Sequence, residues 1–130
     1  MSANSADEIA IRMAAMDYAE GWFEGDAARM ERCLHPKLAK RALVVRTDTG
    51  EKAFDDLTKD DMVRYTREGG GTAAPRDKLY YKVDILDVYE EVAMVRVESY
   101  PYLDYLHLLK DDGQWLIVNV LYTSNRANVT

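Results

Sequence analysis

The groups in this 130-residue chain with chemical potential are few: two histidines, one cysteine, and some carboxylates and tyrosines set among apolar residues. His107 stands between leucines in YLDYLHLLK, Tyr102 to Lys110. With an ordinary pKa of about 6.5, it suits a general acid or base. The alternative is a histidine whose ring nitrogens are satisfied by structural partners. Asp104 is either paired with a Lys or Tyr on a surface that a second chain covers, or a buried carboxyl whose pKa burial raises. His35 closes a helical stretch just before Pro36, where the helix's negative end favours its cation or where it simply caps. Tyr18 and Trp22, one helical turn apart, present an aromatic wall to a flat ligand or pack as plain core. Asp17, on the polar side of the same helix, reads as solvated.

Other chemistries find less support. The histidines occur in no H-x-H or H-x-x-x-H spacing and the cysteine stands alone, so neither a metal site nor a cofactor is expected. Cys33 would need His35 as its base, but residues two apart on a helix point away from each other, so it reads as a buried structural thiol. EGGGTAAP lacks the Gly-Lys-Ser/Thr ending of a phosphate loop and reads as a flexible connector or lid. With 17 basic against 23 acidic side chains the net charge is −6, and no basic patch stands out, which argues against nucleic acid. One cysteine forms no intrachain disulfide. The opening MSANSADEIAIRM lacks a secretory layout and no apolar run reaches membrane-helix length, so a cytoplasmic protein without a membrane partner is expected.

Positioning these groups requires helices first and strands later. Ser5 followed by Glu8 has capping-box spacing, and a helix from about Ala6 puts Ile11, Ala14, Ala15, Tyr18, Ala19, Trp22 and Phe23 on one apolar face. Gly25-Asp26 breaks and recaps the chain; AARMERCL forms a second helix up to His35-Pro36; RALVVRT reads as a first strand and DTGEKAFDD as turn. Thr58 with Asp61 begins a third helix carrying Met62, Val63 and Tyr65, which ends at three glycines. From Lys78 the pattern alternates. Folding about Glu90 would face Lys82 with Glu98 and Asp84 with Arg96, two opposite-charge pairs in one register. Asp112-Gly113 turns a second hairpin that pairs Lys110 with Trp115 and Leu108 with Ile117.

In that last hairpin neither face is plainly wet, so both should be covered. The expected class is α+β: three N-terminal helices packed on a strongly curved mixed or antiparallel sheet, in one domain over 1–130 with 1–5 as a disordered tail. From the turn, the parity of the strands puts Tyr105, His107, Val118, Val120 and Tyr122 on one face and Asp104 and Asn119 on the other. A bulge would exchange Asp104 for His107.

Nearly the whole chain resembles the NTF2-like cone-shaped proteins, which include ketosteroid isomerase, scytalone dehydratase and the polyketide cyclases. YAEGWFEGDAARMERCLHPKLAKR and YLDYLHLLKDDGQWLIVNVLY resemble, within that superfamily, the putative lumazine-binding and SnoaL-like group. The resemblance implies a deep pocket between helix one and the concave sheet, and a homodimer through the sheet's outer face. Ketosteroid isomerases carry a hydrogen-bonding tyrosine eight residues before the aspartate of a Gly-Asp break, and Tyr18 stands eight before Asp26. Their general-base position falls here on Ala42, and their second acid on Tyr105 and not Asp104, so the steroid chemistry is not expected to carry over, while the resemblance implies that the face of Tyr105, His107, Val118, Val120 and Tyr122 turns into the cavity. The segment after helix two runs along the pocket mouth in this fold, which would let His35 and His107 face Tyr18.

Two functions follow from these readings. In the first, the cone binds a small apolar or aromatic molecule against Trp22, Tyr65, Tyr105, Val118, Val120, Tyr122 and Asp104. As an enzyme it would be a cofactor-independent isomerase, dehydratase or cyclase, with Tyr18 donating to a developing oxyanion and His107 or His35 moving the proton. In the second, the chain is a non-catalytic homodimerisation or protein-interaction module whose cone is filled by its own side chains. A cavity of roughly 300 Å³ or more with converging polar groups separates the first from the second.

Overall fold

The computed structural model describes residues 5–46 and 48–127. The first four positions of the expected tail lie outside the described residues, and Ser5 is already helical. Three helices, α1 (Ser5–Glu24), α2 (Ala27–Cys33) and α3 (Lys59–Arg67), pack against six strands: β1 (Leu34–Val45), β2 (Lys52–Leu57), β3 (Tyr81–Tyr89), β4 (Val92–Ser99), β5 (Tyr102–Asp111) and β6 (Gln114–Ser124). The strand order is β2-β1-β6-β5-β4-β3, antiparallel throughout except where β1 runs parallel to β6. No helix among the described residues is long and apolar enough to cross a membrane.

Local chemistry explains the helix ends. Asp26 caps α2 by accepting from the Arg29 amide, and Thr58 and Asp61 form the expected reciprocal capping box on α3. The apolar side of α1 buries Ile11, Ala15, Tyr18 and Ala19 against Val95, Val97, Leu106 and Ile117 of the sheet. Asp17, expected in water, is buried too: Arg29 Nε donates to its Oδ1 at 2.9 Å and Arg32 Nε to its Oδ2 at 2.7 Å. Burial pushes that carboxyl up, but the two guanidinium groups prevail and hold it below the usual range.

The β3–β4 register pairs Lys82 with Glu98 and Asp84 with Arg96, as their charges require. Two expectations fail nearby. β1 begins at Leu34, seven residues before RALVVRT, because His35 and Pro36 continue extended along β6 and do not end a helix. Lys52–Leu57, expected as turn, is the edge strand β2, antiparallel to β1. Register breaks in the β1–β6, β3–β4 and β5–β6 ladders add local twist, which bends the sheet around α1.

Candidate functional site

One of these breaks decides which side chains reach the interior. Leu108 pairs with Ile117 on the turn side, as expected, but His107 pairs with Asn119, so Val118 is the extra residue of a bulge. Beyond it Leu106 faces Val120 and Asp104 faces Tyr122, with both pairs inward. The β5 face expected inside is therefore outside. Tyr105 is 41% exposed, and His107 is exposed with Nδ1 at 3.2 Å from Asn119 Nδ2. Val118 sits beside His107 and Met94 in a shallow groove of the outer face. Val120 is buried in the core but does not line the cavity. His35 stays on β1 away from it, with Nε2 at 3.0 Å from Asp111 and Nδ1 accepting from the Lys37 amide at 3.0 Å. Neither histidine meets Tyr18, so the expected acid-base trio does not form.

A different trio does. Tyr18 of α1, Lys40 of β1 and Asp104 of β5 line a cavity between α1 and the inward sheet face, whose aromatic walls are Trp22, Tyr65 and Tyr122. Lys40 Nζ donates to Tyr18 Oη at 2.7 Å and stands 5.0, 5.7 and 4.7 Å from the ring centroids of Tyr18, Trp22 and Tyr122. Such rings attract a cation through their negative faces. Tyr122 Oη in turn donates to Asp55 Oδ2 at 2.9 Å, and its ring meets Tyr102 edge-on at 5.8 Å. Among the described residues, Asp104 Oδ1 is the buried side-chain polar atom without a hydrogen-bond partner.

Burial dominates the electrostatics. It pushes the Asp104 carboxyl up, against the pull of the Lys40 ammonium and the Tyr18 hydroxyl. It draws Lys40 down, although Asp104 and Asp55 favour the cation. Tyr18 is driven well above its ordinary value, first by burial and then by the Asp104 charge. Because Tyr18 Oη already accepts from Lys40, its proton is left to point elsewhere, and Asp104 is the neighbouring acceptor. The site thus combines a phenol, a carboxyl biased toward its neutral acid and an amine biased toward its free base. Such environments tune groups for proton transfer or nucleophilic attack.

The cavity volume is about 70 Å³. That meets one half of the sequence criterion: polar groups converge, but the enclosed volume is below that of a drug-sized pocket. Lys40 was not foreseen, because the strand that carries it was expected to begin only at Arg41. The signal lay in Leu38, Lys40 and Ala42, which alternate on one face and are all buried.

The loop after α3 closes one side of the aromatic wall. A Cβ on Gly70 would lie 2.7 Å from the Trp22 ring, and one on Gly71 2.3 Å from the Trp22 carbonyl oxygen. Only glycine fits at such an approach.

The family described as putative lumazine-binding matches residues 6–123. Among solved structures, an NTF2-like protein of unknown function from Methylobacillus flagellatus is 22% identical, with 96% of this chain and 98% of that chain covered at a TM-score of 0.74. One from Silicibacter pomeroyi is 20% identical, with 95% and 100% covered at 0.73. A ketosteroid isomerase-like protein from Erwinia carotovora atroseptica is 13% identical, with 93% and 98% covered at 0.63. At these identities the likeness is one of fold. No curated protein sequence matches the chain. The family match spans nearly the whole chain, which therefore belongs to the putative lumazine-binding family and shares its fold with the NTF2-like structures.

Proposed function

We propose that the cone binds a compact molecule bearing a carbonyl group and promotes cofactor-free proton transfer on it, of the isomerase or lyase kind. The observation that carries this reading is Asp104: a carboxyl buried in the cavity with an unpartnered oxygen beside Tyr18 and Lys40. Buried polar atoms are nearly always hydrogen-bonded, so an orphan aimed into a cavity marks a place for a ligand atom. A neutral Asp104 and the Tyr18 hydroxyl would both donate to a carbonyl oxygen, and in a water-poor site such donors stabilise a developing enolate strongly. The family description names lumazine and one fold neighbour is called ketosteroid isomerase-like, which agrees with a carbonyl-bearing ligand. The narrow interior favours one smaller than a polycycle.

The competing reading, an interaction module with a filled cone, draws on that same narrowness but leaves the cost of burying Asp104 unexplained. Fluorescence titration separates the two. Trp115 is fixed in the core, with Nε1 donating to Asp7, so Trp115→Phe leaves Trp22 as reporter. Small ketones and lumazine are titrated into this variant with and without Asp104→Ala. Saturable quenching by a ketone that Asp104→Ala abolishes supports binding; no response to any of them sinks it.

The outer face supports self-association as well. Met94, Tyr105 and Leu121 are exposed on adjacent strands and form an apolar surface centred on β5. In this reading a second copy of the chain covers that face.

A further inference from the structure

We propose that Lys40 is a nucleophile that condenses with a small aldehyde or ketone in the cone, holding the ligand as an imine. The inference rests on the reading that the cone binds a carbonyl compound and goes beyond it by assigning a covalent bond. Among the described residues Lys40 is the lysine whose side chain is buried. Its amine lines the cavity within hydrogen-bond reach of Tyr18 and near a carboxyl that has one unpartnered oxygen. A lysine placed merely to neutralise Asp104 would be expected to donate to it, whereas Nζ donates to the phenol and leaves Asp104 Oδ1 open.

Imine formation needs a neutral amine and a proton shuttle, and the site holds both. Burial draws the Lys40 amine toward its free base. The groups facing it are Tyr18 and Trp22 from α1, Asp104 from β5, Asp55 from β2 and Tyr122 from β6. In the first step the nitrogen lone pair forms a C–N bond to the carbonyl carbon, while the carbonyl oxygen takes the Asp104 proton. The new ammonium then returns a proton to Asp104 through the Tyr18 hydroxyl, which lies between them. In the second step the nitrogen lone pair forms C=N as the C–OH bond breaks, and Asp104 protonates the departing hydroxyl, which leaves as water. The iminium then loses its N–H proton to Asp104, so carbonyl plus amine gives imine plus water with every proton accounted for and no change of oxidation state. If the iminium retains that proton, it draws electrons from the adjacent carbon and so eases the enolisation proposed for this site.

The test uses pentane-2,4-dione, a small diketone that amines convert to a near-ultraviolet-absorbing enaminone with loss of one water. The protein is incubated with it and read by absorbance, intact mass and peptide mapping, while Trp22 fluorescence in the Trp115→Phe variant reports binding. The expected result is one adduct of the dione less one water on Lys40, formed at least about tenfold faster than on exposed Lys82 and slowed about tenfold or more by Tyr18→Phe. Lys40→Met should abolish the fast adduct; should that variant fail to fold, the wild-type peptide map decides alone. Saturable quenching without an adduct on Lys40 would overturn the covalent assignment and leave carbonyl binding intact. Neither quenching nor adduct would overturn both.

Discussion

Lys40 Nζ lies 2.7 Å from Tyr18 Oη, so a strand and a helix distant in sequence meet through a buried amine and a phenol. Their contact is enclosed by aromatic rings and flanked by Asp104, and the behaviour of the site follows from what each group does to the others.

Lys40 and Asp104 are electrostatically coupled, so removing one changes the pH dependence of the other. The folded-state pKa of Asp104 is raised, so its contribution to stability is fully present below its unfolded value of 3.8 and is lost as pH rises through the folded value. Lys40 pulls that folded value down, and Lys40→Met therefore raises it further. Thermal unfolding of Lys40→Met should show a stability, relative to the wild type, that falls as pH rises from 4 to 7, in the direction of the Asp104 shift. A deficit that does not depend on pH would contradict the coupling.

Tyr18→Phe keeps the ring and deletes the bridge. Loss of a hydrogen bond to a charged group should lower stability by about 1.5–3 kcal/mol and weaken ketone binding in the Trp115→Phe background. Unchanged ketone affinity would remove Tyr18 from the site.

The glycine loop supports Trp22. Gly71→Ala introduces a methyl group against backbone and indole alike, so denaturant unfolding should register about 1–3 kcal/mol of destabilisation together with a shifted Trp22 emission. Wild-type stability and spectrum would mean that the loop does not hold the indole.

Cys33 offers a test of the core. Burial, then the charge of Asp17, pushes its thiol up to about 12, and its Sγ donates to the Met30 carbonyl oxygen. Iodoacetamide at pH 8 should leave the folded protein unmodified and alkylate it fully in denaturant. Rapid alkylation of native protein would show that α2 opens.

The outer face should behave as an interface. Leu121, 57% exposed on β6, is a suitable site for disruption. Light scattering should find a dimer for the wild type and a monomer for Leu121→Arg, whereas a monomeric wild type would rule out self-association there.

Much of this arrangement was legible in the sequence where the forces are local. The β3–β4 register was readable from the charges of Lys82, Asp84, Arg96 and Glu98, and the α3 cap from Thr58 and Asp61. Tyr18, Trp22, Tyr65 and Tyr122 line the cavity where the resemblance to the cone-shaped proteins implied a ligand pocket. What escaped depended on single insertions and on long-range pairing. One bulged residue, Val118, exchanges the faces of Asp104 and His107, and no local pattern in LIVNV marks where it falls. Lys40 is buried because β1 pairs in parallel with β6, which sets it opposite Val120, eighty residues later. A lysine between Leu38 and Ala42 reads as exposed until that neighbour is known.

The most direct test of the account is a high-resolution crystal structure of protein purified straight from cells and then soaked with pentane-2,4-dione. The account predicts density for a small molecule in the cone, with an oxygen within hydrogen-bond distance of Asp104 Oδ1 and the Tyr18 hydroxyl. A cone that holds only water after the soak, with Asp104 Oδ1 bonded to that water, would contradict it.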